Sequence, residues 1–285
     1  MKLRPDIKII EIASNIYARL HDNMTNSGII VGDEGVLIID SLSMPSFAKD
    51  LISDVKHITD KPIKYVIDTH AHWDHSWGNE EFNDITIIGH QNCYFEMTDV
   101  DWNEEWRSKI VNGDDSWAKE ANIVNITPPN LTFESSMSLY IGGRQIELIY
   151  FGKAHTSGDI FINIPKEKIL FTGDVIQRRK IPYLGDCYPA DWPHTNDKIS
   201  KLPVDIFVSG HGDNGNHNDL LEAKTFINDL VNYSKNALDE GRNIKQATER
   251  GRSTQTGKER QGENNPWVYQ LPESSTNLGP QRRVP

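Results

Sequence analysis

Cysteine is scarce in this chain: two residues, Cys93 and Cys187, among 285. Two thiols so far apart build no disulfide framework, which points away from a small stapled scaffold. No stretch approaches the roughly 18–20 apolar residues that cross a bilayer, so no membrane partner is expected. Positive charge is also short: 30 Lys and Arg stand against 41 Asp and Glu, a net charge of −11. That excess repels phosphates and argues against a nucleic-acid partner. The first twenty residues, MKLRPDIKIIEIASNIYARL, show no continuous apolar core ahead of a small-residue cleavage site. No signal peptide is read there, and a cytoplasmic location is the expectation. What is present suits a globular chain of enzyme size, with 37% hydrophobic and 25% charged residues, enough for one large domain or two small ones.

The stretches NIYARLHDN, SGIIVGDEGVLIIDS, IKYVIDTH and ITIIGH are rich in β-branched residues and broken by turn signals such as Gly32-Asp33-Glu34-Gly35. They read as strands. Between them, Phe47, Leu51, Ile52, Val55 and Ile58 recur at helical spacing after Pro45, which predicts a helix over 45–58. Residues 91–125 are acidic and aromatic and read as helical. SMSLYIGGRQIELIYFG and DIFINIPKEKILFTGD read as hairpins, VDIFVSGH as a strand, and 218–240 as a helix stopped by Gly241. A weak internal repeat runs through this order. GIIVGDEGVLIID and DIFINIPKEKILFTGD are both strand–turn–strand and end at Asp40 and Asp174. Each is followed by a later strand that ends in histidine, KYVIDTH and DIFVSGH. Two such halves suggest two sheets face to face with helices outside, their polar strand ends meeting at one edge. From Arg250 onward the chain is polar, with Gly, Ser, Asn and Pro. The expected division is a domain over 1–249 and an extended or partly disordered tail over 250–285, whose one apolar patch is PWVYQL.

The stretch THAHWDHSWGN, residues 69–79, crowds three histidines and an aspartate into six positions. Crowded imidazoles repel once charged, and a metal ion is the usual reason to keep them together. In an extended segment alternate residues point the same way. His70 and His72 can therefore share one ion, with Asp74 and His75 turned toward a second. Four ligands from one loop cannot complete two coordination shells. Three further donors stand where a strand gives way to a Gly-containing loop: His155 in GKAHTSGD, Asp174 in LFTGDV and His211 in VSGHGD.

Together these motifs resemble the metallo-β-lactamase superfamily of hydrolases over roughly residues 10–240. The match is the HxHxDH pattern of His70, His72, Asp74 and His75, followed by His155, Asp174 and His211 in family order. Asp40 matches the aspartate that supports the metal loop. The resemblance implies an α+β fold, a four-layer αββα sandwich. It implies one zinc on His70, His72 and His155, a second on Asp74, His75 and His211, and Asp174 as the bridge. Members that hydrolyse β-lactams carry cysteine or serine where this chain has Asp174. Aspartate there is the arrangement of hydroxyacylglutathione hydrolase (glyoxalase II), lactonases and related esterases. No counterpart of the helical segment that binds glutathione in glyoxalase II is read after His211, nor the added domain of the nucleic-acid-cleaving branches, so neither activity is expected. Di-iron relatives that reduce oxygen put glutamate at the position of His72, so His72 favours hydrolysis.

The expected function is cleavage of a small ester, thioester or lactone by metal-bound hydroxide, since bound zinc lowers the pKa of water from 15.7 to about 7. Asp74 is the expected catalytic carboxylate, orienting the nucleophile or taking its proton. The expected cofactor is two zinc ions, with iron or manganese also compatible with histidine and carboxylate. Two other outcomes stay open: β-lactam hydrolysis, including as a side activity, and a metal-bearing binding protein without turnover. The oligomeric state is not legible.

The remaining histidines, His21, His57, His90, His194 and His217, read as surface or hydrogen-bonding residues. The segments holding His21 (HDNMTNSG) and His194 (DWPHT) are candidate loops near the site. Arg178, Arg179 and Lys180 form either a contact for a substrate carboxylate or a solvated face, and Tyr183 is a candidate substrate contact. Trp102, Trp106 and Trp117 form either an aromatic wall or anchors that pin a helix to the core. Cys93 and Cys187 hold no ligand position and are expected to be unreactive.

Overall fold

Alternation along the strands decides the architecture. In β4 (Val36–Ile39), Leu37 and Ile39 belong to one apolar cluster, whereas Val36 and Ile38 belong to another. In β10 (Ile160–Ile164), Ile160, Ile162 and Ile164 share the first cluster, and Phe161 joins a third. Successive side chains point to opposite faces of a sheet, so strands buried on both faces must be covered on both. The computed structural model describes residues 6–113, 117–178 and 180–247.

The first sheet has seven strands in sequential order: β1 (Ile7–Ala13), β2 (Ile16–His21), β3 (Ser27–Val31), β4, β5 (Ile63–Ile67), β6 (Thr86–His90) and β7 (Leu131–Phe133). Its first four strands are antiparallel and the rest run parallel. The second sheet holds β8 (Ser136–Ile141), β9 (Arg144–Tyr150), β10, β11 (Ile169–Gly173) and β12 (Ile206–Ser209), in the order β12-β11-β10-β9-β8. Ile16, Ile30, Ile39 and Ile67 of the first sheet meet Ile146, Ile162, Phe171 and Val208 of the second in one buried layer.

Helices cover the outer faces. Pro45 opens α1 (Pro45–Ile58), where its missing N–H costs nothing. Ala48, Leu51 and Val55, on one helical stripe, pack on Ile29, Ile38 and Val66 of the first sheet. On the other side, α6 (Trp192–Ile199) and α7 (His217–Asp239) bring Trp192, Ile199, Leu220 and Ile227 against Phe161, Leu170 and Phe207. Full burial of each such side chain stabilises by roughly 1.5–3 kcal/mol. The result is the expected α+β sandwich of helix, sheet, sheet and helix. The segment 91–125 folds into α3 (Gln91–Thr98), α4 (Val100–Val111) and α5 (Ala118–Ala121), as its composition suggested.

The internal repeat is structural. β3 and β4 form a hairpin and β4 runs parallel to β5; β10 and β11 form a hairpin and β11 runs parallel to β12. The last paired residues are Ile39 with Ile67 in one half and Gly173 with Ser209 in the other. Asp40, the 68–75 loop, Asp174 and His211 therefore all leave carboxyl ends of parallel strands. In open parallel sheets that edge is where ligands bind. The DWPHT segment was expected as a loop; Pro193 instead sits in the first turn of α6, and His194 lies exposed there. Pro in a first turn sets helical φ, so the dipeptide starts a helix rather than a loop. The tail over 250–285 lies outside the described residues.

Candidate metal centre

The loop after β5 is locked before it reaches its histidines. Asp40 accepts the backbone N–H of Thr69 at 2.8 Å and its hydroxyl at 2.9 Å, and pairs with His75 Nδ1 at 2.8 Å. Asp40 achieves this with φ of 61°, a left-handed conformation that aspartate tolerates better than most residues. Its bond to Nδ1 turns His75 Nε2 the other way. Asp74 and His75 lie in a single turn, α2 (Trp73–Ser76), directly after His72. From the second sheet, His155 is carried by the β9–β10 loop. There Asp159 accepts the backbone N–H and hydroxyl of Thr156, each at 2.8 Å.

Two groups of donors result. His70 Nε2 and His155 Nε2 lie 3.1 and 2.8 Å from His72 Nδ1. Asp74 Oδ2 lies 3.1 Å from His211 Nε2 and 3.7 Å from His75 Nε2. Asp174 stands between them, 3.4 Å from His75 Nε2, 3.3 Å from His211 Nε2 and 3.6 Å from His155 Nε2. Three overlapping sets have ligand atoms mutually within 4.8 Å: His70, His72 and His155; His70, His75 and Asp174; Asp74, His75 and His211. All seven expected residues thus converge in one cluster, with His70, His75 and Asp174 joining its two ends.

The centre is buried, and burial with charge decides protonation. Burial, reinforced by the neighbouring imidazoles, holds His70 well below the usual histidine range, and His155 is pushed down to about 3. Both are neutral and keep a lone pair to give. Burial opposes charge on His75 as well, but Asp74, Asp174 and Asp40 outweigh it and raise that pKa well above its ordinary value. His211 is raised to about 10, Asp174 outweighing burial. Burial also works against the Asp74 and Asp174 carboxylates, yet His75 and His211 hold both below the usual range. The second group is therefore an array of ion pairs whose protons sit where a cation would compete.

The donor chemistry fits metal ions. Imidazole nitrogens and carboxylate oxygens suit zinc. His75 Nε2 and Asp174 Oδ1 are buried and face each other at 3.4 Å, yet neither makes a well-formed hydrogen bond among the described residues. A polar atom left so is costly unless a ligand satisfies it. Gly210 leaves the room: a Cβ there would lie 2.1 Å from Asp174 Oδ1 and 2.6 Å from His75 Cε1.

Several residues that support the site carried no role in the sequence reading. Asp186 Oδ2 takes the far nitrogen of His72, Nε2, at 3.1 Å and the indole N–H of Trp106 at 3.2 Å. That bond orients His72 with Nδ1 toward the cluster. Thr25 donates its hydroxyl to Asp74 Oδ2 at 2.9 Å. Asp186 lies in PYLGD and Thr25 in the HDNMTNSG loop, which does reach the site. His21 shapes that loop by accepting the N–H groups of Asn23 and Met24 at Nδ1. Asn26 ties it to the second half through Ser209 O and Gly212 O.

Other expectations divide. Trp102 and Trp106 flank His72, with ring centroids 6.0 and 5.2 Å from it, whereas Trp117 packs on Phe47 as an anchor. Arg178 pairs with Asp219 at 3.1 Å at the start of α7 and serves the fold. Lys180 and Tyr183 line an open cleft of about 310 Å³ beside His72, Asp74, Asp174 and His211. Arg179 lies outside the described residues. His57 and His90 bond to backbone carbonyls of Ser53 and Glu134. Among the described residues, neither they nor His194 and His217 belong to any donor group. No helix among the described residues is long and apolar enough to cross a membrane.

Residues 21–211 match the family model of the metallo-β-lactamase superfamily. The chain is 27% identical over 221 residues to the metallo-β-lactamase type 2 of Elizabethkingia meningoseptica, covering 73% of this chain and 80% of that protein. It is 23% identical over 228 residues to the metallo-β-lactamase type 2 of Bacillus cereus, covering 75% and 80%. Among solved structures, a metallo-β-lactamase from Pontibacter korlensis superposes with a TM-score of 0.65 at 19% identity, covering 78% of this chain and 99% of that one, a likeness of fold. The family match spans β3 to β12 and every donor described above, and the chain belongs to the metallo-β-lactamase superfamily of metal-dependent hydrolases.

Proposed function

We propose that the chain is a dinuclear zinc hydrolase of a small ester, thioester or lactone. His70, His72 and His155 would hold one ion and Asp74, His75 and His211 the other, with Asp174 available to both. The convergence of seven donors from four separated segments carries this reading. Zinc is favoured by the imidazole and carboxylate set, which iron or manganese would also accept. When bound, a pair of divalent ions lowers the pKa of water toward about 7 and offsets negative charge on a reacting acyl oxygen.

The chain's own residues do the rest. Asp74 Oδ2, fixed by Thr25 and His211, presents a carboxylate oxygen at the cleft to orient a water and take its proton. Asp174 offsets cationic charge at the centre of the site. Asp40 and Asp186 hold His75 and His72 in the tautomers that aim their free nitrogens inward. Lys180, at the cleft, offers a partner to a substrate carboxylate. The substrate is a small molecule. Both thiols are free, which suits a reducing cytoplasm. The catalytic domain is assigned to 1–249, with 250–285 as an appended tail.

A second reading has its own support. The relatives named above are called metallo-β-lactamases type 2, which favours β-lactams, whereas the aspartate at 174 favours esters through the family resemblance. The test is a zinc-loaded protein assayed on nitrocefin beside a panel of esters, thioesters and lactones, before and after chelation. Chelator-sensitive turnover of the panel well above nitrocefin supports the proposal. The reverse order supports a β-lactamase. Full metal occupancy without turnover of any compound supports a binding protein.

A further inference from the structure

The lining of the cleft carries two chemistries. Asp74, Asp174, His211, Gln177 and Lys180 are polar; Trp73, Trp106, Ile181 and Tyr183 are not. Among the second kind, Trp106 and Tyr183 form a continuous surface with a donor residue. Their ring centroids are 5.3 Å apart, and each stands over the His72 ring, at 5.2 and 5.9 Å. These edge-on arrangements are the ones aromatic rings prefer. Tyr183 is nonetheless 45% exposed. Exposed aromatic surface beside a reactive centre leaves favourable burial unclaimed until a ligand covers it.

Trp106 is also held still. Its one polar atom is committed to Asp186, and Lys109 Nζ lies 4.7 Å from the ring centroid. What remains for the cleft is apolar ring surface, already oriented, so a ligand that packs on it loses little to ordering the protein. The cleft volume, about 310 Å³, is at the lower end of the roughly 300–1,000 Å³ of small-molecule sites. A single ring fits that scale better than a long acyl chain. Because the wall abuts His72, the ring it takes lies within a few bonds of the reacting carbonyl.

We infer that Trp106 and Tyr183 form an aryl subsite, and that the substrate carries an aromatic ring close to its reacting carbonyl. This rests on the hydrolase reading and names the substrate class for it. Methyl phenylacetate places the ring on the acyl side, benzyl acetate on the alcohol side, and methyl acetate lacks it. Each is assayed on the zinc-loaded full chain, and binding of phenylacetate, benzyl alcohol and acetate is measured by calorimetry. The wild type is expected to prefer one aryl ester over methyl acetate in kcat/KM, and to bind the matching product more tightly than acetate. Trp106→Ala is expected to cut that preference about tenfold, and Trp106→Phe to retain it. Metal content is measured on every variant. Tyr183→Ala leaves the Trp106–Asp186 bond in place, and its reduced preference serves if Trp106→Ala sheds metal. Equal handling of aryl and methyl esters by the wild type overturns the subsite, as does a preference that survives both alanine variants. Aryl binding that depends on Trp106, without hydrolysis of any ester, keeps the subsite and removes the ester reading of the substrate.

Discussion

Replacing Gly210 with alanine tests how tightly the site is built. Gly210 donates its N–H to Gly173 O at 2.8 Å and accepts Asn26 N–H at 2.7 Å, so its backbone is fixed from both halves of the fold. An added methyl would lie 2.1 Å from Asp174 Oδ1, where ordinary contact begins at 3.4 Å, so one of them must give by about 1.3 Å. Asp174 has little freedom, being buried and within 3.6 Å of His75, His155 and His211. Overpacking of this kind costs about 1–3 kcal/mol of stability. A displacement near 1 Å at a reacting centre costs about 10²-fold in rate. The methyl also lies 2.6 Å from His75 Cε1, so the second donor group suffers most, while His70, His72 and His155 keep their places. Gly210→Ala should bind close to one zinc per chain where the wild type binds two, by elemental analysis after dialysis, and melt at a lower temperature. A folded variant with two ions and wild-type turnover would refute the packing argument.

Three further outcomes follow from the same geometry. Asp174→Ala removes the carboxylate between the donor groups, and should lower metal occupancy and turnover together; unchanged turnover with metal lost is evidence against the bridge. Asp186→Asn weakens the partner of His72 Nε2 and should reduce metal affinity roughly 10- to 100-fold, measured by competition with a chromogenic chelator. In the metal-free chain, against the effect of burial, His211 is raised to about 10 by Asp174, and Asp74 and Asp174 raise His75 well above its ordinary value, so this donor group favours protonated imidazole. Zinc uptake should therefore release protons, and affinity should climb as pH rises. Titration calorimetry in buffers of different ionisation enthalpy counts them, and a count near zero would contradict the assignment.

Legibility of the fold and site followed the range of each interaction. Period-two strands, the helix after Pro45 and the repeat are local patterns, and Asp40, Asp174 and His211 mark strand ends within them. β1 and β7 carried no such mark. β1 buries Ile7 alone among its seven residues, and β7 has only three, so neither shows a hydrophobic period. The donors were readable because an imidazole at a strand end is uncommon without a task. Their supports were not. Asp186 reaches His72 across 114 positions and Thr25 reaches Asp74 across 49, and nothing around either residue signals the partner. The tryptophans show the same limit. Trp106 and Trp117 sit in one acidic helical stretch, yet one lines the cleft and the other packs on Phe47, a difference set by where the sheet edge lies.

Diffraction at the zinc absorption edge from zinc-loaded crystals tests the central claim most directly. The account predicts two anomalous peaks per chain, one among His70, His72 and His155 and one among Asp74, His75 and His211, with Asp174 touching both. A single peak elsewhere, or none with the seven side chains turned apart, would contradict it.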